Sequence, residues 1–487
     1  MNPLKKLFKQ TFIYGLATVL PRVIAVVLLP LYTTVFKEAS GYGEYVTIYS
    51  WIAIFNVVLA YGMETAFFRF YHEAKKKSTV TTTALLSIVG SSILFLTIAL
   101  FTKGTLAQIT GIKESYIGFT VAILLLDALV IIPFAWLRAT ERPMKYALLK
   151  IINVVVNLGG NIFFLIWLPN VIDAQPEHGL QSLYLANFEI SYIFISNVFA
   201  SGITLLMLSP LYWKVSYVFD TRLWKKMLQY AGPVLWAGIA FTINEVFDKI
   251  LLAKLLPSDV AESQVGMYAA CYKLALFMTL FATAFRMGIE PFFFSHSKSE
   301  NPQRTYAQIT NYFVVIGSVI LLGVMVFADL LKQILIPNNI YWEAMEIVPI
   351  ILLASFCLGI YHNLSVWYKV TDKTKYGAYI STVGAAVTLG VNFIFIPTYG
   401  YWASAWATLA AYGVMMLLSF YFGKRNYPIP YNYRKMCFYT SISLLLGVIA
   451  FYGFDRHLGV GIPLLLLFLG IVYRLERDNI KHLIQKE

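Results

Sequence analysis

Apolar runs, most of them 18 to 26 residues long, follow one another from Thr11 to Val472 with short polar breaks between them. They neither alternate every second residue nor stop after ten. A bilayer core about 30 Å thick needs about 20 apolar residues per helical span. Strands of an outer-membrane barrel would instead alternate over about ten residues. The pattern predicts an all-α polytopic membrane protein. Fourteen spans are expected, at roughly 11–36, 46–69, 81–102, 116–138, 147–168, 188–213, 231–256, 266–290, 308–328, 346–368, 377–397, 402–423, 437–454 and 459–473.

Composition agrees. Hydrophobic residues make up 59% of the 487, and charged residues only 13%, about half the share of a soluble domain. The net charge of +13 first suggests a nucleic acid or acidic partner. Placing the cations removes that reading. With the N-terminus in the cytoplasm, 29 of the 38 Lys and Arg fall in cytoplasmic segments. Six fall on the other side (Lys37, Lys103, Lys113, Lys254, Lys332, Arg456), and three inside spans (Arg22, Lys249, Lys273). This is a positive-inside distribution with both termini cytoplasmic. It also attracts anionic lipid. The basic start (Lys5, Lys6, Lys9) leads into an apolar run without a small-residue cleavage site, so it is expected to stay as the first span. Cys271, Cys357 and Cys437 are too scattered for a disulfide framework.

No segment between spans is long enough to fold separately. There is no GxxxxGK[ST] loop, HExxH or GxSxG motif. The chain is therefore read as a non-enzyme, with a membrane-embedded glycosyltransferase or ligase as the rival from another class.

An internal repeat organises the spans. Shifted by 231, Trp136-Leu137-Arg138-Ala139-Thr140-Glu141-Arg142 meets Trp367-Tyr368-Lys369-Val370-Thr371-Asp372-Lys373. Leu158-Gly159, Asn161 and Phe164 meet Leu389-Gly390, Asn392 and Phe395. Near a shift of 223, Tyr42-Gly43-Glu44-Tyr45 meets Val265-Gly266-Met267-Tyr268. Six spans separate the copies, so the repeats are parallel. The expected organisation is an N-lobe over 1–213 (spans 1 to 6), a basic cytoplasmic linker over 214–229 and a C-lobe over 230–423 (spans 7 to 12). Two further helices occupy 424–487. Two lobes around a central cavity suit a rocking transporter.

At these residues the chain resembles the polysaccharide-biosynthesis (Wzx-type) flippases of the MOP superfamily, which also holds MATE and MurJ-like transporters. The resemblance rests on Leu29-Pro30-Leu31-Tyr32-Thr33, Gly41-Tyr42-Gly43 with Tyr45, Gly62-Met63 with Ala66 and Arg69, and Asn392 through Pro397, Gly400, Ala403, Ala405 and Thr408. It implies a V-shaped two-lobe fold. It also implies export of undecaprenyl-pyrophosphate-linked oligosaccharide (O-antigen, capsule or exopolysaccharide repeat unit) across the bacterial inner membrane. A glycan polymerase or glycosyltransferases of the same pathway are candidate partners. The alternatives within the superfamily are a MATE-like cation-coupled antiporter and a MurJ-like lipid II flippase.

An ionisable group at mid-bilayer costs at least about 2.5–3.5 kcal/mol and should have a task. Arg22 in span 1 is either a clamp for the substrate pyrophosphate or an ion-pair partner of Asp127 or Glu245. Glu245 and Lys249 in span 7 have the i, i+4 spacing of a local pair. Glu245, Asp248 and Asp127 are equally candidates to load the coupling H⁺ or Na⁺. Lys249 and Lys273 are candidate substrate-binding cations. Asn153, Asn157 and Asn161 make a stripe on span 5, read as helix packing or as sugar contact through Asn157 and Asn161. His362-Asn363 is ambiguous in the same way, Arg286 is an interface anchor, and Pro21 is a candidate hinge. No metal or organic cofactor is expected.

Overall fold

The computed structural model describes residues 19–20, 23–175, 179–296 and 300–484. Among them the chain is α-helical and has no strand. Twelve helices are long and apolar enough to cross a membrane. They are α2 (Ala39–Glu73), α3 (Lys77–Phe101), α4 (Glu114–Ala139), α5 (Pro143–Ala174), α6 (Glu189–Lys214), α8 (Ala261–Glu290), α9 (Pro302–Val326), α10 (Asn339–Val370), α11 (Lys375–Tyr399), α12 (Tyr401–Asn426), α13 (Tyr433–Gly453) and α14 (Leu458–Arg477). Two more helices belong in the order, and short helices at Lys103–Thr110 and Ala328–Leu335 lie between α3 and α4 and between α9 and α10. α1 (Val23–Val35) is a shorter apolar helix, and α7 (Thr221–Leu255) carries the charged stretch of span 7. Among the described residues, twelve helices rather than the fourteen expected therefore meet the length and apolarity of a span. The chain is a multi-pass membrane protein.

Proximity divides the described residues into two compact units. One runs up to Gly266 and adds Thr388–Gly400; the other comprises Met267–Val387 and the residues from Tyr401 onward. In the first, α6 packs on α4 and α5, α4 packs on α2 and α3, and α7 runs along α2. Phe134, Leu137, Tyr146, Leu149 and Leu208 form a core between α4, α5 and α6. In the second, α10 packs against α12, α8 and α9. Its apolar window is 89% buried, against 11% for α14, so α10 is the interior helix and α14 faces lipid. α13 and α14 attach through Tyr439, Ala450 and Phe468 on Val315, Leu322 and Val326 of α9. Glu476 of α14 is buried between Lys435, at 2.6 Å, and the Tyr439 hydroxyl, at 2.7 Å. Side chains such as Phe101, Leu206 and Trp213 stand largely exposed. On a soluble protein such a surface would drive association; here it meets hydrocarbon.

The helices are interrupted where the sequence allows it. α2 breaks at Tyr61-Gly62, both with positive φ (30° and 72°). A Cβ on Gly62 would sit 2.6 Å from the Ala231 carbonyl oxygen of α7, so close approach and backbone conformation both demand glycine. α5 contains a π turn at Phe163–Trp167. Pro169 follows it, and a proline lacks the N–H for the i−4 bond and crowds that carbonyl.

The repeat is visible bond by bond. α4 ends in a Schellman cap in which Glu141 is left-handed (φ 52°), its N–H donates to the Arg138 carbonyl at 3.0 Å, and Arg142 N–H donates to Leu137 at 2.9 Å. The second copy, at the end of α10, has the same form: Asp372 is left-handed (φ 54°) and Lys373 N–H donates to Tyr368 at 2.8 Å. The Thr140 and Thr371 hydroxyls donate to the Trp136 and Trp367 carbonyls at 2.8 and 2.7 Å. The weaker match at a shift of 223 has a structural meaning as well. α2 and the start of α8 cross with Gly43 on the Glu262 carbonyl and Gly266 on the Ala39 carbonyl. Ala39 and Glu262 are themselves 223 apart, so the crossing is pseudo-symmetric.

Candidate functional site

A polar seam runs through the first unit. Tyr42, Tyr45 and Tyr49 lie at i, i+3, i+7 on α2 and therefore share a face. Their rings form a column: Tyr45 and Tyr49 centroids are 4.6 Å apart, and Tyr32 of α1 lies 5.1 Å from Tyr45. The Tyr32 hydroxyl donates to Asn161 Oδ1 at 3.0 Å. Asn161 Nδ2 donates to the Asn157 carbonyl and side-chain oxygens at 2.8 and 3.0 Å. Asn153 Nδ2 donates to Thr204 Oγ1 of α6 at 3.0 Å. The asparagine stripe of α5 thus meets α6 at Thr204, on the helix that also carries Asn197 and Ser201, the three at i, i+4, i+7 spacing.

Asp127 of α4 ends this seam. Ser201 Oγ is 3.1 Å from its Oδ1, and Asn56 Nδ2 of α2 is 3.4 Å from its Oδ2. Ser201 Oγ also lies 3.4 Å from Asn197 Oδ1, and Asn197 Nδ2 donates to the Tyr49 hydroxyl at 2.8 Å. The Asp127 carboxylate therefore accepts from one hydroxyl and one amide N–H, which satisfies a buried polar group through hydrogen bonds. No group of three or more His, Cys, Asp or Glu able to hold a metal ion occurs among the described residues.

The second cluster sits on α7. Lys249 Nζ lies 2.8 and 3.0 Å from the two Asp248 oxygens and 3.2 Å from the Glu245 backbone carbonyl. Both partners are buried, with Asp248 2% and Lys249 9% exposed. This ion pair joins neighbours in sequence, and the i, i+4 neighbour Glu245 contributes its backbone oxygen. One turn earlier, Asn244 Oδ1 accepts from Thr388 Oγ1 of α11 at 2.9 Å, and Asn392 Nδ2 donates to the Thr388 carbonyl at 2.7 Å. Asn392 is the repeat partner of Asn161, and both are completely buried.

The remaining expected residues are distributed as follows. Arg22 and Pro21 lie outside the described residues. Asn161 exposes no surface and its amide is bound at both ends, which is the geometry of helix packing rather than of sugar contact. Asn157 is half-buried. Lys273 belongs to the second unit and opens a 3₁₀ turn, Lys273–Ala275, that interrupts α8. Arg286 and His362, 3.4 Å apart, line a cavity of about 10 Å³ with Glu290, Asn363 and Lys369. That volume holds about one water. Lys369 is paired with Glu290 at 2.7 Å. Asn56, Asn197, Ser201 and Tyr49 are not singled out by sequence reasoning. The i, i+4, i+7 spacing of polar residues on α6 is the available signal.

A model of the family described as polysaccharide biosynthesis protein matches residues 7–295, more than half of the chain. The chain belongs to this family. No curated protein matches it. Among solved structures it is similar to the lipid II flippase MurJ in an inward closed conformation, with 14% identity and a TM-score of 0.73 over 95% of this chain and 99% of that one. It is also similar to an inward-facing multidrug resistance MATE family transporter of the MOP superfamily (12%, TM-score 0.63, 85% and 94% covered). A third is the Vibrio cholerae MATE transporter VcmN in the bent form (15%, TM-score 0.52, 89% and 98% covered). At these identities the likeness is one of fold. The fold is one shared with a lipid II flippase and with MATE transporters.

Proposed function

We propose that this chain is a flippase that carries an undecaprenyl-pyrophosphate-linked oligosaccharide across the bacterial inner membrane by ion-coupled alternating access. The family match carries the reading, since polysaccharide biosynthesis needs its lipid-linked intermediates moved between leaflets. Near-complete coverage of a lipid II flippase fold supports it. So does the placement of the buried charge. Asp127 stands on the membrane helix α4, where an ionisable group is expensive and points to a function, and the Asp248–Lys249 pair is buried on α7. With no nucleotide motif in the chain, an H⁺ or Na⁺ gradient is the motive force, loaded at Asp127, Glu245 or Asp248. Arg22 takes the pyrophosphate, and Lys249 and Lys273 are further candidate substrate-binding cations. Both termini are cytoplasmic.

The test is export of glycan in cells together with the sidedness of its lipid-linked precursor. Arg22→Ala should abolish surface glycan and trap precursor in the inner leaflet while the protein remains in the membrane. Normal glycan in that variant would remove the pyrophosphate role of Arg22. The MATE-like fold supports a second reading, a cation-coupled small-molecule antiporter. That reading requires drug efflux from cells and leaves precursor sidedness unchanged when the gene is deleted.

A further inference from the structure

The inner ends of α2 to α6 enclose a cavity of about 290 Å³ that plays no part in the seam or the α7 cluster. It lies on the face that the basic residues assign to the cytoplasm. Four cations line it: Lys77 at the start of α3, Arg142 and Lys145 where α5 begins, and Lys214 at the end of α6. All four are exposed. No carboxylate lines the cavity, and none of the four forms an ion pair with a carboxylate among the described residues. Two of them rest on rings instead. The Arg142 guanidinium is 4.9 Å from the Trp136 centroid, and the Lys77 ammonium is 5.1 Å from that of Tyr71. Such contacts orient a cation without neutralising it. The wall behind is aliphatic, with Leu137 and Leu208 buried against the core.

The repeat supplies an internal comparison. A shift of 231 puts Trp367, Lys373 and Tyr376 at the positions of Trp136, Arg142 and Lys145, on the same Schellman-capped frame. In that copy the space is filled. Trp367 is buried, its indole N–H donates to the Ser419 carbonyl at 3.1 Å, and the Tyr376 ring packs 5.0 Å away. Lys373 donates to Asn426 Oδ1 at 2.9 Å. One copy closes the frame with aromatic and amide partners; the other leaves it open and collects like charges that repel one another. An anion relieves that repulsion.

We propose that this recess binds a phosphate ester, supplied by the headgroup of an anionic phospholipid in the inner leaflet. Cations at the rim meet the phosphate and the aliphatic wall meets the glycerol and first methylenes, as in basic pockets between membrane helices. The site is separate from the transport residues and does not depend on what the protein carries.

The experiment is native mass spectrometry of the full chain titrated with phosphatidylglycerol or phosphatidylcholine, with and without millimolar inorganic phosphate. The wild type should hold its tightest phosphatidylglycerol in preference to phosphatidylcholine. Arg142→Gln with Lys145→Gln and Lys214→Gln should weaken it by roughly a hundredfold, about fivefold per cation. Lys424→Gln with Arg425→Gln, on α12, should leave it unchanged. Inorganic phosphate that displaces the lipid competitively would support the recess as a phosphate site and assign it to a soluble ion, overturning the lipid source. Wild-type affinity in the triple variant would overturn the site. Should the triple variant not fold, Arg142→Gln alone decides in the same way, with fivefold weakening expected.

Discussion

One methyl group at Gly43 should prise apart the crossing of α2 and α8. A Cβ there would overlap the Glu262 carbonyl oxygen and lie 2.7 Å from its carbonyl carbon and 3.0 Å from Gly266 N. A comfortable carbon contact is about 3.5–4.0 Å, so the backbones must separate by about 1 Å. The obstacle is backbone on a rigid helix and cannot swing aside as a flexible side chain would. Overpacking of this kind costs about 1–3 kcal/mol, and parting the helices also weakens their Cα–H···O contacts, at about 0.5–1 kcal/mol each. A bias of about 1–3 kcal/mol changes the population of a parted state by about 5–150-fold. Gly266→Ala should act alike, since its Cβ would lie 2.9 Å from the Ala39 carbonyl carbon and 3.1 Å from Gly43 N. Because both methyls open one crossing, the double variant should add little to either single one. Hydrogen–deuterium exchange over residues 36–48 and 258–270 reads the opening directly, and a thermal melt in detergent reads its cost. Gly118→Ala is the control, because a Cβ there meets nothing within 4 Å. Unchanged exchange and melting in both Gly43→Ala and Gly266→Ala would refute the argument that these backbones touch.

Three further outcomes are expected. Asp248→Asn should cost about 3–5 kcal/mol in stability by leaving the Lys249 ammonium buried without its carboxylate, whereas Asp248→Asn with Lys249→Gln should cost less than the sum of the singles; additive melting shifts would deny the pairing. Glu141→Gly should stabilise by up to about 1 kcal/mol, because a non-glycine residue in the left-handed region carries about 1–2 kcal/mol that glycine avoids, and Asp372→Gly should gain less because aspartate tolerates that region; a lowered melting temperature in both would contradict the cap geometry. A reporter fused after Glu487 should read cytoplasmic, and a reading from the other side would mean an odd number of spans.

The span order, the helical class and the repeat are legible in the chain because each depends on local quantities. Apolar length is set against bilayer thickness, and the repeat survives as shared residues such as Trp136 and Trp367 or Asn161 and Asn392. The charged candidates Asp127 and Asp248 stand out because an ionisable group among apolar neighbours is conspicuous one helix at a time. Partners are another matter. Spacing along α7 favours Glu245 for Lys249, yet rotamer and packing bring the ammonium onto Asp248. The α5 stripe looks equally fit for sugar or for packing until the Tyr32 bond and the absence of exposed surface tie Asn161 into the helix contact. Gly43 and Gly266 are equivalent in sequence, and only the crossing of their helices makes them neighbours. The four cations around the open recess read in sequence only as part of the belt that orients the chain. Helical periodicity determines which residues share a face; which face meets which, and whether the space between is filled, is decided by side chains more than a hundred residues apart, and that information exists only in the packed structure.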